Sequence, residues 1–251
     1  MLIDCHCHLN ALAKKTREEV IASCRDTGRY VFIDSSIDMN TTLASMALSQ
    51  YYDFFYTSLG FHPFNAGSFS DEIAQTYEGL IRENNKIVAI GEIGLDYKAE
   101  VLSQKQEEVF KSCLRLAKHT NLPIVIHNRF DNPRILDILD QFYTSFERVV
   151  FHCFSYGPDM LERILKKGGY ISFSLNILRN SEKILASLKS CPLNRLLLET
   201  DSPYMKISNV PSTPLDIEQV YNRAAEHKGL EIEALEHQVF LNAQKVFSLP
   251  S

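Results

Sequence analysis

Residues 103–127 read SQKQEEVFKSCLRLAKHTNLPIVIH, and the unit they describe is the one from which the rest of the chain is built. Val109, Phe110, Cys113, Leu114 and Ala117 recur on one face of a 3.6-residue period, which predicts an amphipathic helix from Ser103 to about Thr120. Ser103 and Gln106 match the spacing of a capping box. Asn121-Leu122-Pro123 ends the helix, because proline has no N–H to continue it. Pro123-Ile124-Val125-Ile126-His127 follows, a short β-branched run of the kind buried on both faces of a parallel sheet. Helix then strand is half of a βαβ unit.

The same alternation extends in both directions. Upstream apolar runs are Leu2–His6, Tyr30–Asp34, Phe54–Leu59 and Ile87–Gly91; downstream ones are Val149–His152, Tyr170–Phe173 and Leu196–Glu199. With Pro123–His127 the count is eight. Helical patterns lie between them at about 17–26, 41–50, 71–84, 133–142, 159–167 and 181–189. Two more helices are expected from about 215 to 247, split near Lys228-Gly229, with no strand after the eighth run. Eight β/α units in 251 residues predict an α/β fold, a TIM (β/α)8 barrel, with residues 1–251 forming a single domain.

The hydrophobic fraction of 45% supports a sizeable core, and no apolar stretch reaches the roughly 18 residues of a membrane span. Met1-Leu2-Ile3-Asp4 lacks the basic start of a signal peptide, and six cysteines are scattered without a paired framework. These features predict a cytoplasmic protein with reduced thiols, no membrane association and no obligate protein partner. A net charge of −5 argues against broad coating of nucleic acid. It leaves room for an enzyme that grips a phosphate through bound cations. Cys5-His6-Cys7-His8 has no second cysteine pair to make a zinc knuckle.

Candidate metal ligands sit where the runs end. His6 and His8 close run one, Glu92 follows run four, His127 closes run five, His152 closes run six, and Asp201 lies two residues past run eight. In a β/α barrel those strand ends gather on one face. Alternation along a strand turns Asp4, His6 and His8 one way, with Asp4 placed to support the histidines. Glu92, in Gly91-Glu92-Ile93-Gly94, is the candidate to bridge two cations, its flanking glycines permitting close backbone approach. Asp201 should lie near His6 and His8, since the last strand closes beside the first, and there it could accept a proton from water. Glu199 is placed to support a ligand. Each of these residues taken singly also has a plainer reading, as a hydrogen-bonded strand end, a loop ion pair or an Asx-turn before Pro203. Mixed imidazole and carboxylate donors admit Mg, Mn or Zn.

Six ordered motifs then resemble the TatD family of metal-dependent deoxyribonucleases, in the amidohydrolase-like superfamily. They are Asp4–His8, Gly60-Phe61-His62-Pro63, Gly91–Tyr97, Pro123–Arg129, His152-Cys153-Phe154-Ser155 and Glu199–Tyr204. The resemblance implies two divalent metal ions per subunit. His6, His8, Glu92 and Asp201 would hold one, and Glu92, His127 and His152 the other. It also implies hydrolysis of DNA phosphodiester bonds, of single strands or ends, by a two-metal-activated water, with Glu92 and Asp201 catalytic. His62, Arg129 and Tyr97 are expected to contact substrate, and Phe154 to pack in the core. The chain departs from the family at Lys206–Pro214, where an Arg-Gly-Lys stretch and an Asn-Glu-Pro motif are usual, and at Tyr156, where a glycine is usual. The same site on the same fold could instead serve an amide, lactone, ester or phosphotriester, or an inert binding protein.

Overall fold

The computed structural model describes residues 1–129 and 134–250. The eight runs form β1 (Leu2–Cys7), β2 (Tyr30–Ser35), β3 (Phe55–Leu59), β4 (Ile87–Leu95), β5 (Ile124–Asn128), β6 (Val149–Phe151), β7 (Tyr170–Phe173) and β8 (Leu196–Leu198). Each strand pairs in parallel with the next, in chain order. Seven crossovers carry α1 (Lys14–Thr27), α2 (Met39–Tyr51), α3 (Asp71–Glu83), α4 (Ser103–Thr120), α5 (Arg134–Phe142), α6 (Pro158–Leu165) and α7 (Glu182–Ser190). The tail forms α8 (Ile217–Lys228) and α9 (Ile232–Phe247), parted at Gly229, which takes the left-handed conformation at φ +63°. The start of the helix expected over 133–142 and the last residue of the chain lie outside the described residues. Strands and helices share one hydrophobic core that includes Ile3, Phe32, Ile90 and Ile126.

Closure comes at the seam between β8 and β1. The Asp201 N–H donates to the His6 carbonyl (2.9 Å), and the His8 N–H donates to the Ser202 carbonyl (2.8 Å). Asp4 works on this same seam. Its carboxylate accepts from the Thr200 N–H (3.0 Å), the Thr200 hydroxyl (2.5 Å) and the His6 N–H (3.1 Å). It therefore staples the two strand ends and touches neither histidine ring, so its support for them runs through the backbone. Below, the tail locks onto the barrel floor. The Tyr221 hydroxyl donates to the Ile3 carbonyl (3.1 Å), and the Arg29 guanidinium spans Glu218 and Glu236 (3.1 and 3.0 Å).

Three details differ from expectation. No capping box forms on α4; Leu102 is the N-cap, and Gln106 turns its amide to the Asp96 N–H (3.0 Å), the Asp96 carbonyl (3.1 Å) and the Val101 carbonyl (2.9 Å). Gln106 is thereby committed to backbone groups of the Asp96 loop and is not free to cap the helix. β4 continues past Gly91 to Leu95, with its ladder to β5 interrupted between Ile90 and Ile93. A short hairpin, β9 (Lys206–Ile207) and β10 (Val210–Pro211), follows β8 without joining the barrel. Ser208 and Asn209 turn it at φ +49° and +67°, a conformation suited to two-residue hairpin loops.

Asp34, at the end of β2, yields a stability test. Its carboxylate accepts from the Leu9 N–H (2.7 Å) and the Asn10 amide (3.1 Å). Burial pushes it up from 3.8 to about 6, with the Leu9 N–H pulling the other way. A carboxyl raised in the folded state contributes stability that is complete below about pH 4 and lost as pH rises through 6. Relative to the wild type, Asp34→Asn should therefore gain up to about 3 kcal/mol between pH 4 and 7. Urea unfolding in EDTA across that range measures it; a difference that does not change with pH contradicts the assignment.

Candidate metal centre

All six predicted donors meet at one rim of the barrel, and none of their side chains is more than 14% exposed. Glu92 stands at their centre with its two oxygens facing opposite groups. Oε1 lies 2.5 Å from His127 Nδ1 and 2.8 Å from His152 Nε2; Oε2 lies 3.4 Å from His6 Nε2 and 3.6 Å from His8 Nε2. Asp201 completes the second side, with Oδ1 3.5 Å from His8 Nε2 and 4.0 Å from His6 Nε2. Asp201 has φ +54°, a left-handed conformation that aspartate tolerates better than bulkier residues.

Backbone economy puts Glu92 there. A Cβ on Gly60 would lie 2.2 Å from the Gly91 carbonyl carbon, so glycine alone lets β3 pass this close to β4. Gly94 has φ +151°, and an added Cβ would lie 1.9 Å from the His127 carbonyl oxygen. The motif glycines thus bring β4 against the strands on either side, and the interrupted ladder falls at the residue that must turn inward.

The outer ring atoms are held by partners that orient the inner ones. The Ser35 carbonyl accepts from His8 Nδ1 (2.9 Å), which leaves the His8 Nε2 lone pair pointing inward. The Ser35 hydroxyl meets His6 Nδ1 at 3.0 Å. The two Nε2 atoms then face each other only 3.0 Å apart. Asp96 Oδ2 accepts from His127 Nε2 (3.0 Å), turning the Nδ1 lone pair onto Glu92. His152 Nδ1 lies 3.3 Å from Glu199 Oε1 but off a hydrogen-bond line; Glu199 also accepts from the Cys153 N–H (2.6 Å) and the Ser172 hydroxyl (2.5 Å). Lone pairs converging on lone pairs and on carboxylate oxygens repel unless a cation or a proton lies between them. The residues present fit divalent cations. Three overlapping donor triads occur among the described residues: His6, His8 and Glu92; His6, His152 and Asp201; and His62, Glu92 and His127.

Electrostatics agree. Burial alone would raise the Glu92 carboxyl, but His152, His62 and His127 around it hold it well below the usual range. Burial likewise works to raise Asp201, yet the His8 contact and the other imidazoles keep it lowered. Burial opposes protonation of His8, His127 and His152, but the facing carboxylates outweigh it and raise all three. His6 goes the other way, lowered by burial and by His152. The rim is a site in which positive charge is favoured.

The expected substrate residues divide. His62 joins the row: its Nδ1 accepts from the Phe64 N–H (3.1 Å), so its proton lies on Nε2, which points towards His127 and Glu92 (3.4 and 3.6 Å). Burial pushes it down to about 3, leaving it a neutral donor. Arg129 is exposed at the end of β5, its N–H on the Leu95 carbonyl (3.4 Å), and its charge helps keep Asp96 ionised. Tyr97 stays outside the row, lining a small cavity with Leu95, Gln106 and Arg134. Phe154 is buried against Phe173. Tyr156 ties the loop after β6 to β5 through its hydroxyl on the Asn128 carbonyl. Ser35 and Asp96 had no role from the sequence. The signal available for Ser35 was its place as a polar residue closing a strand at the same rim.

Residues 3–248 match the family model described as TatD related DNase. The chain is 32% identical over 257 residues to a metal-dependent hydrolase of Bacillus subtilis, covering 99% of this chain and 100% of that protein. It is 29% identical over 244 residues to the 3′-5′ ssDNA/RNA exonuclease TatD of Pantoea ananatis, covering 93% and 94%. In three dimensions it is similar to YjjV, a TatD homolog from Escherichia coli, with TM-score 0.89, 25% identity and coverage of 99% and 98%.

Ser35→Ala removes the hydroxyl at His6 and keeps the carbonyl at His8. Calorimetric titration with Mn²⁺ or Zn²⁺ should show affinity reduced about 10- to 100-fold with an unchanged far-UV spectrum. Gly94→Ala should weaken binding further and lower the melting temperature. Wild-type affinity in Ser35→Ala would show that the serine does not orient the pair.

Proposed function

The chain belongs to the TatD-related DNase family, and from that premise we propose that it is a metal-dependent deoxyribonuclease acting on single-stranded DNA or DNA ends. The observation that carries this reading is the split of Glu92, one oxygen towards His127 and His152 and the other towards His6 and His8. That split suits a carboxylate that would be shared between two cations. His6, His8, Glu92 and Asp201 would hold one, and Glu92, His127 and His152 the other. Bound there, divalent cations supply Lewis acidity to the phosphate and acidify water at neutral pH.

The chain's own groups do the rest. Hydrolysis adds water across the phosphodiester: an oxygen–phosphorus bond forms, the bond to the 3′ oxygen breaks, and one proton must be taken up and one delivered. Asp201, held ionised, takes the proton of the attacking water and gives it up again to the departing 3′ oxygen. His62 presents a neutral Nε2–H to a phosphoryl or leaving oxygen. Arg129 offers its fork of donors to an adjacent phosphate at the rim. Glu199 and Asp96 hold His152 and His127 in place while charge moves past them.

A 5′-labelled oligodeoxynucleotide, incubated with Mn²⁺ or Mg²⁺, tests the reading. Cleavage should stop in EDTA. Asp201→Asn should lower kcat about 10²- to 10⁴-fold, and Glu92→Gln should abolish it. Turnover confined to cyclic amides, lactones, aminoacyl esters or phosphotriesters would overturn the nuclease assignment.

A further inference from the structure

Four large aromatic side chains stand half or more exposed among the described residues: Tyr51, Phe64, Tyr97 and Tyr204. Tyr51 ends α2. The other three lie on loops after β3, β4 and β8, at the donor rim. Leaving an aromatic ring in water forgoes the burial that usually justifies it. Two of the three also touch the donor row directly. Tyr204 meets His8 at 4.9 Å between ring centroids, tilted 68°; Phe64 meets His62 at 4.9 Å and 90°.

Between these two the imidazoles follow one another without a gap. Centroid spacings run 4.8 Å from His8 to His6, 4.0 Å to His152, 5.7 Å to His127 and 4.4 Å to His62. Phe64 thus caps one end of the row and Tyr204 the other. Both are set on backbone that also carries donors. The Phe64 N–H is bonded to His62, and the Met205 N–H closes the turn behind Tyr204 onto the Asp201 carbonyl (3.0 Å). They are platforms held in register with the site.

We infer that Phe64 and Tyr204 stack the two nucleobases flanking the reacting phosphodiester, so that the smallest fully recognised substrate is an unpaired dinucleotide step. The inference rests on the phosphodiesterase reading above. An aromatic face accepts any base, and a base can reach it only when splayed out of a helix. Duplex DNA keeps its bases stacked and paired, and would present neither to the bracket. Tyr97, which lines the small cavity beside Gln106, takes no part in the bracket.

The test is fluorescence anisotropy with labelled oligothymidylate and an abasic strand of equal length, with calcium added to supply divalent charge. The wild type should prefer the base-bearing strand. Phe64→Ala and Tyr204→Ala should each lose roughly 5- to 150-fold in affinity for it, several-fold more than for the abasic strand. Phe64→Tyr and Tyr204→Phe, which keep the ring, should restore the preference. Equal losses on both strands, no preference in the wild type, or failure of the ring-preserving variants overturns the inference. Cleavage is scored separately. A base preference without cleavage of any nucleic acid removes the nuclease reading and leaves Phe64 and Tyr204 as a base-binding bracket, and cleavage without base preference does the reverse.

Discussion

Everything at the rim depends on one buried carboxylate placed between two sets of imidazoles. Glu92 is 3% exposed, and an ion that deep is costly unless its oxygens are engaged. Four histidines from three strands supply that engagement, and the whole barrel is needed to deliver them. β4 has to carry Glu92 inward without opening a gap to β3 or β5. Gly60 and Gly94 solve this by removing side chains where backbone meets backbone. The break in the ladder between Ile90 and Ile93 is the local cost of turning that residue towards the axis.

Around this hub the protein orients rather than merely collects. Ser35, Asp96 and Glu199 each sit behind a histidine. The Ser35 carbonyl and Asp96 also fix which nitrogen of His8 and of His127 carries the proton. His62, fixed by its neighbour's backbone N–H, carries its proton on the nitrogen that faces the site, which suits a donor to substrate better than a ligand to a cation. The difference between ligand and donor is made by what lies on the outer side of each ring. Asp4, two residues before the pair, serves the seam instead.

Much of this was legible in the sequence because it follows from periodicity. The eight apolar runs, the crossovers and the polar residues closing the strands place His6, His8, Glu92, His127, His152 and Asp201 on one rim as soon as the barrel is recognised. What periodicity does not carry is competition for hydrogen bonds. Gln106 looked like a cap residue and is taken by buried groups of the Asp96 loop. Ser35 lies just past the Tyr30–Asp34 run, where no periodic pattern singles it out, and its two oxygens hold two imidazoles. Asp96 was visible only as part of a motif. The hairpin at 206–211 is a short turn whose shape comes from two left-handed residues, a feature without a hydrophobic pattern to announce it.

The chemistry of the rim is decided by what lies between the two oxygens of Glu92 and the nitrogens around them. Anomalous X-ray diffraction from crystals soaked in Mn²⁺ observes this directly. Two peaks roughly 3.5–4 Å apart, one among His6, His8 and Asp201 and the other beside His127 and His152, with Glu92 touching both, are the result expected. A single peak that leaves either side of Glu92 empty, or metal bound away from this carboxylate, would contradict it.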